Sequence, residues 1–275
     1  MPTLLCPVRT CGSPLTREAN AFRCPRGHSF DIARSGYCNL LQPQDSKSKH
    51  PGDPKEAVLA RRRFLEVGQG DFLAAALLEA FDALSLSPRP AVLDVGCGEG
   101  FFLGNLARER EIEGHGIDLS VPAIDLAARR WPDLSWFVVN ADRRLPYADA
   151  SFDLALSLTA RRNAPELRRV LKPGGWLLVT IPGEDDLIEL REAVQGEGVR
   201  RDRVPSVTAE LSEHFALESH RSLRRRAHLD ADSLRDLLAS TYRGVRRSER
   251  ERAEGLSALE VTSSLDLLTF RPAAV

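Results

Sequence analysis

The stretch "AVLDVGCGEG", residues 91–100, decides the fold. A short apolar run followed by Gly96, Gly98 and Gly100 reads as a buried strand ending in a glycine-rich strand-to-helix turn. Glycine at such a turn permits positive φ and lets a ligand approach the backbone closely. By itself the loop discriminates little, because many α/β proteins carry one. The nicotinamide-binding fingerprint asks for a small residue where the helix packs on the strand, and Phe101 stands there instead. The P-loop is excluded because no Lys-Ser/Thr pair follows the glycines.

Outward from this loop, short apolar strands alternate with helices. "FFLGNLARERE" is a helix, "EGHGIDLS" a strand and "VPAIDLAARRWP" a helix. "LSWFVVNAD" and "FDLALSL" are strands, "APELRRVL" a helix, and "GGWLLVTIP" a further strand. This order implies a parallel sheet covered on both faces. "HFALESHRSL" and "SALEVTSSLDLLTF" read as closing strands, with the helix "DADSLRDLLAST" between them. Upstream, a helical pattern begins near Lys55 and a second amphipathic run covers about residues 71–84. The segment 43–54, "PQDSKSKHPGDP", is a polar, proline-rich linker. The expected organisation is therefore a small module at 1–42, a linker with helices at 43–90, and an α/β domain at 91–275.

Two acidic residues give the glycine loop its chemistry. Asp118 ends the second strand in "GIDLS", at about the ~20-residue distance where a carboxylate can bind ribose hydroxyls. Asp142, in "NADRRLP" after the third strand, stands where an adenine amino group could be accepted. With these, "VLDVGCGEG", "GIDLS", "NAD..LP", "SFDLALS" and "RVLKPGGWLLV" occur in the order and spacing that resemble class I S-adenosylmethionine-dependent methyltransferases, over roughly residues 90–185. The resemblance implies a Rossmann-like, mostly parallel seven-stranded sheet with helices on both faces. It places Asp94, Gly96, Cys97, Gly98 and Gly100 around the methionine end of the cofactor, Asp118 and Leu119 at the ribose, and Asp142 at the adenine.

Four of the five cysteines precede residue 40. Cys6, Cys11, Cys24 and His28 offer three thiols and an imidazole from two short knuckles, a set suited to tetrahedral Zn²⁺. A closed four-ligand site is structural rather than catalytic, and a metal would supply stability that a forty-residue module lacks. The bland alternative is a set of free thiols in a small core. Cys38, in "GYCNLL", is either a spare ligand or a small buried residue.

The 275 residues are 43% apolar, enough for a substantial core, and the net charge is only −1. That charge is uneven. Ten Arg face five acidic residues between Arg221 and Arg252, and Lys47, Lys49, Lys55 and Arg61 to Arg63 form a second basic zone. Such zones suit a polyanionic partner, although solvated charged faces are commoner. No apolar run is long enough to span a membrane and no signal-peptide layout opens the chain, so no membrane partner and a cytoplasmic location are expected.

The knuckles, "CP..H.FD.A..GY.NLL" and "PGD......AR..FL..G", together with the cofactor motifs, resemble the bacterial 23S rRNA guanine-N1 methyltransferases of the RlmA (RrmA) type. The resemblance implies a zinc module joined to a class I domain, and transfer of a methyl group to N1 of a guanine in a 23S rRNA hairpin loop. It implies 23S rRNA or a large-ribosomal-subunit precursor as partner, with a homodimer compatible with two modules forming one cleft. Three departures stand out. Four residues rather than two separate Cys6 from Cys11, Gly70 and Phe72 replace an aromatic and a proline, and Thr159-Ala160-Arg161 replaces an aromatic-Ala-Pro turn.

Methylation at N1 requires loss of the ring proton, aided by a base or by a cation at O6. Arg161, Arg162 and Asn163 follow the fourth strand and are the acceptor-side candidates, against a reading as ordinary loop residues. The Arg-rich C-terminal region and the zinc module would grip RNA. The competing readings are a methyltransferase for a small molecule, and a non-catalytic cofactor-binding, ribosome-associated protein.

Overall fold

A computed structural model describes residues 2–45, 51–196, 198–241 and 255–273. Its centre is the strand read first. β5 (Ala91–Val95) is buried along its whole length, as an apolar run flanked on both sides requires. Nine further elements surround it: α3 (Phe101–Glu109), β6 (Glu113–Asp118), α4 (Val121–Arg130), β7 (Ser135–Val138), β8 (Phe152–Leu158), α5 (Ala164–Val170), β9 (Leu171–Pro182), β10 (Phe215–Asp230) and β11 (Ala258–Pro272). The sheet runs β10-β11-β9-β8-β5-β6-β7 and then adds β4 (Cys38–Asn39) from the N-terminal segment. Strands β4 to β9 pair parallel with one another, whereas β11 adds to β9 and β10 to β11 antiparallel. The seven expected strands are present, and the eighth is the small module's contribution.

The order reverses between β5 and β8, so a crevice opens at their carboxyl ends, where α/β sheets bind ligands. On one face, Leu73, Leu77 and Phe81 of α2 (Asp71–Ala83) pack with Leu103 and Leu106 of α3, Ile124 of α4 and Trp136. Each such side chain contributes about 1.5–3 kcal/mol when fully buried. On the other face, Leu167 and Leu211 pack with Leu93, Ile117 and Phe137.

That second core also contains Leu4, Leu15, Cys38 and Leu40, so the first forty residues share the main core instead of building their own. Within them β1 (Thr16–Arg17), β2 (Ala21–Arg23) and β3 (Ser29–Asp31) form a small antiparallel sheet. Phe22 meets Phe137 edge-on at 5.8 Å between ring centroids. The Leu5 amide donates to the Pro146 carbonyl at 2.8 Å, and the Ala148 amide to Thr3 at 3.0 Å.

Asp45 and Asp53, toward the two ends of the segment read as linker, are docked. Asn140 Nδ2 donates to the Asp45 carbonyl at 2.7 Å, and Ser120 Oγ to the Asp53 carbonyl at 2.7 Å. α1 (Lys55–Phe64) follows, kinks at Val67 and Gly68, and leads into α2. Gly70 leaves room here, since a Cβ would lie 2.7 Å from Leu65 and 2.8 Å from the Phe101 ring. Two helices escaped the pattern reading, α6 (Ile188–Gln195) and α7 (Val204–Leu211), each of only 8 residues. α8 (Ala231–Thr241) packs on α1, where Asp236 accepts from Arg63 Nε at 2.9 Å. No helix among the described residues is long and apolar enough to cross a membrane.

The basic zones look different in three dimensions. Arg224 pairs with Asp185 at 2.6 Å, Arg226 with Glu260 at 3.4 Å, and Arg221 with Glu79 at 2.5 Å. Arg225 donates to the Gly68 carbonyl at 2.8 Å, and Arg62 pairs with Glu66 at 2.9 Å. Much of this arginine is therefore neutralised by the chain itself. Lys47, Lys49 and the arginines from Arg243 to Arg252 lie outside the described residues.

Candidate active site

The glycine loop lies in the crevice between β5 and β8. Gly96, Gly98 and Gly100 adopt φ of 75°, 57° and 77°, a region closed to most side chains. The loop is pinned to β6, because the Gly96 and Cys97 amides both donate to the Ile117 carbonyl, at 2.8 and 3.1 Å. Asp118 closes it from the other side. Its Oδ2 accepts from the Gly98 amide at 3.0 Å and its Oδ1 from the Ser120 amide at 2.8 Å. Burial raises the Asp118 pKa, and these N–H bonds oppose the rise. Leu119 is partly exposed beside it. The Cys97 thiol is buried and held well above its ordinary pKa by desolvation, which makes it a wall group and not a nucleophile.

Asp94 and Glu99 are buried at 1% and 2% exposure, and Asp94 Oδ1 and Glu99 Oε1 have no hydrogen-bond partner among the described residues. Desolvation first, and the neighbouring Asp118 second, push the Asp94 pKa up to about 7. Glu99 is also raised by burial, with Arg61 as the opposing charge at 3.9 Å. Orphaned carboxylate oxygens in a concave loop ask for a cation. An amino-acid ammonium and a sulfonium provide that charge, so the residues present fit S-adenosylmethionine.

The loop after β8 forms the opposite lip. Thr159 has φ of 52°, and a Cβ on Gly96 would lie 2.6 Å from the Ala160 Cβ, so the two loops are in close contact. Arg161 is 85% exposed in its side chain and its Nη1 bonds Asp142 Oδ2 at 3.0 Å, which brings two expected site residues together across the crevice. Arg162 and Asn163 are engaged differently. Arg162 is mostly buried, paired with Glu210 at 3.0 Å and donating to the Ala160 carbonyl. Asn163 Nδ2 donates to the Ala141 and Arg143 carbonyls at 3.2 and 3.1 Å, tying the Asp142 loop to its neighbour.

Cys6, Cys11, Cys24 and His28 converge with all four ligand atoms within 4.8 Å of one another. His28 Nδ1 lies 3.4 Å from both Cys6 Sγ and Cys24 Sγ, and Cys11 Sγ lies 3.8 Å from Cys24 Sγ. Tetrahedral bonds of about 2.3 Å to sulfur and about 2.0 Å to nitrogen predict separations of about 3.8 Å between sulfurs and about 3.5 Å from sulfur to nitrogen, so the donors fit zinc. Cys38 is not among them. Its thiol faces the Phe30 carbonyl at 3.7 Å on β4, and burial pushes its pKa to about 12.

Reading the sequence alone missed Arg61, Glu99 and Ser120. Glu99 sits inside the quoted loop and was visible as an acid among glycines. Arg61 reaches the site from α1, about forty residues upstream, and had no local signal.

Comparison with known proteins bears on this geometry. A methyltransferase-domain family model matches residues 92–175, and a model of the RlmA N-terminal zinc ribbon matches residues 4–49. A 23S rRNA (guanine(748)-N(1))-methyltransferase of Streptomyces fradiae is 35% identical, with 98% of this chain and 96% of that protein aligned. A 23S rRNA (guanine-N(1)-)-methyltransferase homologue of Micromonospora griseorubida is 34% identical over 99% of this chain and 98% of its own. Among solved structures, the YcgJ protein of Bacillus subtilis superposes with a TM-score of 0.51 at 15% identity, covering 72% of this chain and 96% of that one, a likeness of fold alone.

Proposed function

The chain belongs to the RlmA-type 23S rRNA (guanine-N1)-methyltransferase family, and on that premise we propose that it methylates N1 of a guanine in a 23S rRNA hairpin loop. The observation carrying this reading is the union, in one chain, of a four-ligand zinc ribbon with a cationic-cofactor crevice at the switch point of the sheet. When bound, S-adenosylmethionine supplies the electrophilic methyl group. In this reading Asp94 holds the ammonium, Asp118 the ribose hydroxyls and Asp142 the adenine amino group, with Gly96, Cys97, Gly98, Gly100 and Leu119 forming the surrounding wall. Arg161 faces the acceptor and offsets negative charge developing on O6 as the N1 proton leaves. Its bond to Asp142 keeps it at the crevice mouth. Arg162 and Asn163 are positioning residues, since their own bonds hold the two lips together.

The zinc module, residues 1–42, serves RNA recognition in this scheme, and the segments 43–90 and 91–275 form the roof and the catalytic domain. The metal is structural, because all four ligand positions are filled by protein. The partner is 23S rRNA or a large-subunit precursor in the cytoplasm. A homodimer is compatible with this scheme, and sedimentation of the purified chain reads it directly.

The test is transfer of labelled methyl from S-adenosylmethionine to unmethylated 23S rRNA, to large subunits and to cell extract, followed by mapping of the label. Label at N1 of a hairpin guanine is expected. Label confined to small molecules would refute the assignment, and cofactor binding without any transfer would point to a non-catalytic protein.

A further inference from the structure

A cleft of about 510 Å³ separates the first zinc knuckle from the loop that carries Asp142. One wall is the Cys6–Cys11 knuckle with Arg9 and Thr10, the other is Arg143 to Pro146, and Asp45 lies between them. The volume falls within the ~300–1,000 Å³ of pockets that hold nucleotide-sized ligands. The walls are joined by main-chain bonds, including the Leu5 amide to Pro146 and the bridge of Leu4 with Tyr147, so the gap has a fixed width.

Charge separates this cleft from the rest of the surface. The arginines of β10 and α1 are paired with the chain's own carboxylates or carbonyls. In the cleft, Arg9, Arg143 and Arg144 are exposed and face a single acid, Asp45, which lies 3.8 Å from Arg143. Among the described residues no carboxylate lies within ion-pair distance of Arg9 or Arg144. Arg26 adds a further cation at the rim, donating to the Thr10 carbonyl at 3.0 Å. The cleft also adjoins the acceptor lip, since Asn163 and Arg161 grip the loop carrying Arg143 at its backbone and at Asp142.

Resting on the RNA methyltransferase reading, we propose that this cleft binds the sugar–phosphate backbone of the nucleotides flanking the target base. Arg9 and Arg144, exposed in a concave cleft beside the Asp45-paired Arg143, match a single-stranded polyanion, and their position directs the next base toward the crevice. The knuckle supplies this wall because it carries four residues between its cysteines. Arg9 lies in that loop, between Cys6 and Cys11.

The experiment measures binding of a fluorescent single-stranded hairpin RNA from unmethylated 23S rRNA to the full chain at several salt concentrations. The double variant Arg9→Ala/Arg144→Ala is compared with wild type and with Arg89→Ala, a control at the opposite end of the strands. Single-stranded RNA loses about 0.7 in the log–log salt slope per phosphate contact removed. The double variant is therefore expected to flatten the slope by about 1.4. Arg89→Ala should match wild type, and S-adenosylmethionine affinity should be equal in all three, which shows that each is folded. An unchanged slope in the double variant overturns the proposal while leaving the methyltransferase reading intact. Weakening seen only with assembled subunits, and not with naked RNA, also overturns it, because the partner would then be a ribosomal protein. Wild type that binds the hairpin through these arginines but transfers no methyl group defeats the functional reading alone.

Discussion

If Asp94 holds the cofactor's ammonium as proposed, cofactor binding is coupled to pH. Its carboxyl is 1% exposed with an unpartnered oxygen, and burial lifts its pKa from the ordinary 3.8 to about 7. The folded, unliganded chain thus keeps a proton that the unfolded chain has already lost above about pH 4. Stability from this group is full below the unfolded value and declines as pH rises through about 7, by at most about 4 kcal/mol. An ammonium beside Asp94 reverses the balance, since it favours the carboxylate and expels the proton. With a pKa of about 7, the ionised fraction rises from about 0.03 at pH 5.5 to about 0.5 at pH 7. S-adenosylmethionine should then bind about 15-fold more tightly at pH 7 than at pH 5.5, a window in which its own amine stays protonated. Titration calorimetry in buffers of different ionisation enthalpy should record release of about one proton per cofactor at pH 5.5 and about half at pH 7. Asp94→Asn removes both effects and separates them from Glu99 and Asp118. Flat affinity and no proton release in wild type would refute the assignment of Asp94 to the ammonium.

Two glycines of similar φ separate strain from crowding. A Cβ at Gly100 (φ 77°) would lie 2.5 Å from Trp136, whereas one at Gly174 (φ 80°) meets nothing within 4 Å. Left-handed strain costs about 1–2 kcal/mol and overpacking about 1–3 more, so Gly100→Ala should lower the melting temperature by about 5–15 °C and Gly174→Ala by about 2–6 °C. Equal shifts would show that Trp136 yields freely. Cys24→Ser should release about one zinc per chain by elemental analysis, while Cys38→Ser retains it; the reverse pattern would mean that the ligand set is wrong. Arg161→Ala should lower kcat about 10²-fold, measured at saturating S-adenosylmethionine because Arg161 also bonds Asp142. Arg162→Ala should instead reduce stability by about 1 kcal/mol through its half-exposed partner Glu210, seen as an earlier denaturant midpoint.

The reading of the sequence succeeded where information is local. The strand, the glycine turn and the helix of residues 91–109 announce themselves through apolar runs and backbone freedom. The four metal ligands are found by knuckle spacing, and their side chains converge. It fell short at Arg162 and Asn163, whose positions after β8 marked them as acceptor-side groups but whose partners hold the lips in place. It also read a basic zone between Arg221 and Arg252, where composition alone cannot reveal that Asp185 and Glu260 stand opposite Arg224 and Arg226.

By itself, then, the sequence determined the α/β order, the cofactor loop and the zinc ligand set, because each is encoded within a few residues or one repeating unit. Only the tertiary structure decided that Asp45 and Asp53 dock against the loops after β7 and β6, that Cys38 belongs to the sheet, and that Arg9 and Arg144 are exposed with no carboxylate in ion-pair distance among the described residues. Those outcomes depend on contacts such as Arg61 with Glu99, Leu5 with Pro146 and Arg225 with Gly68. Residues so far apart meet through chain packing, and no local pattern of hydrophobicity or spacing records which charge will find which partner.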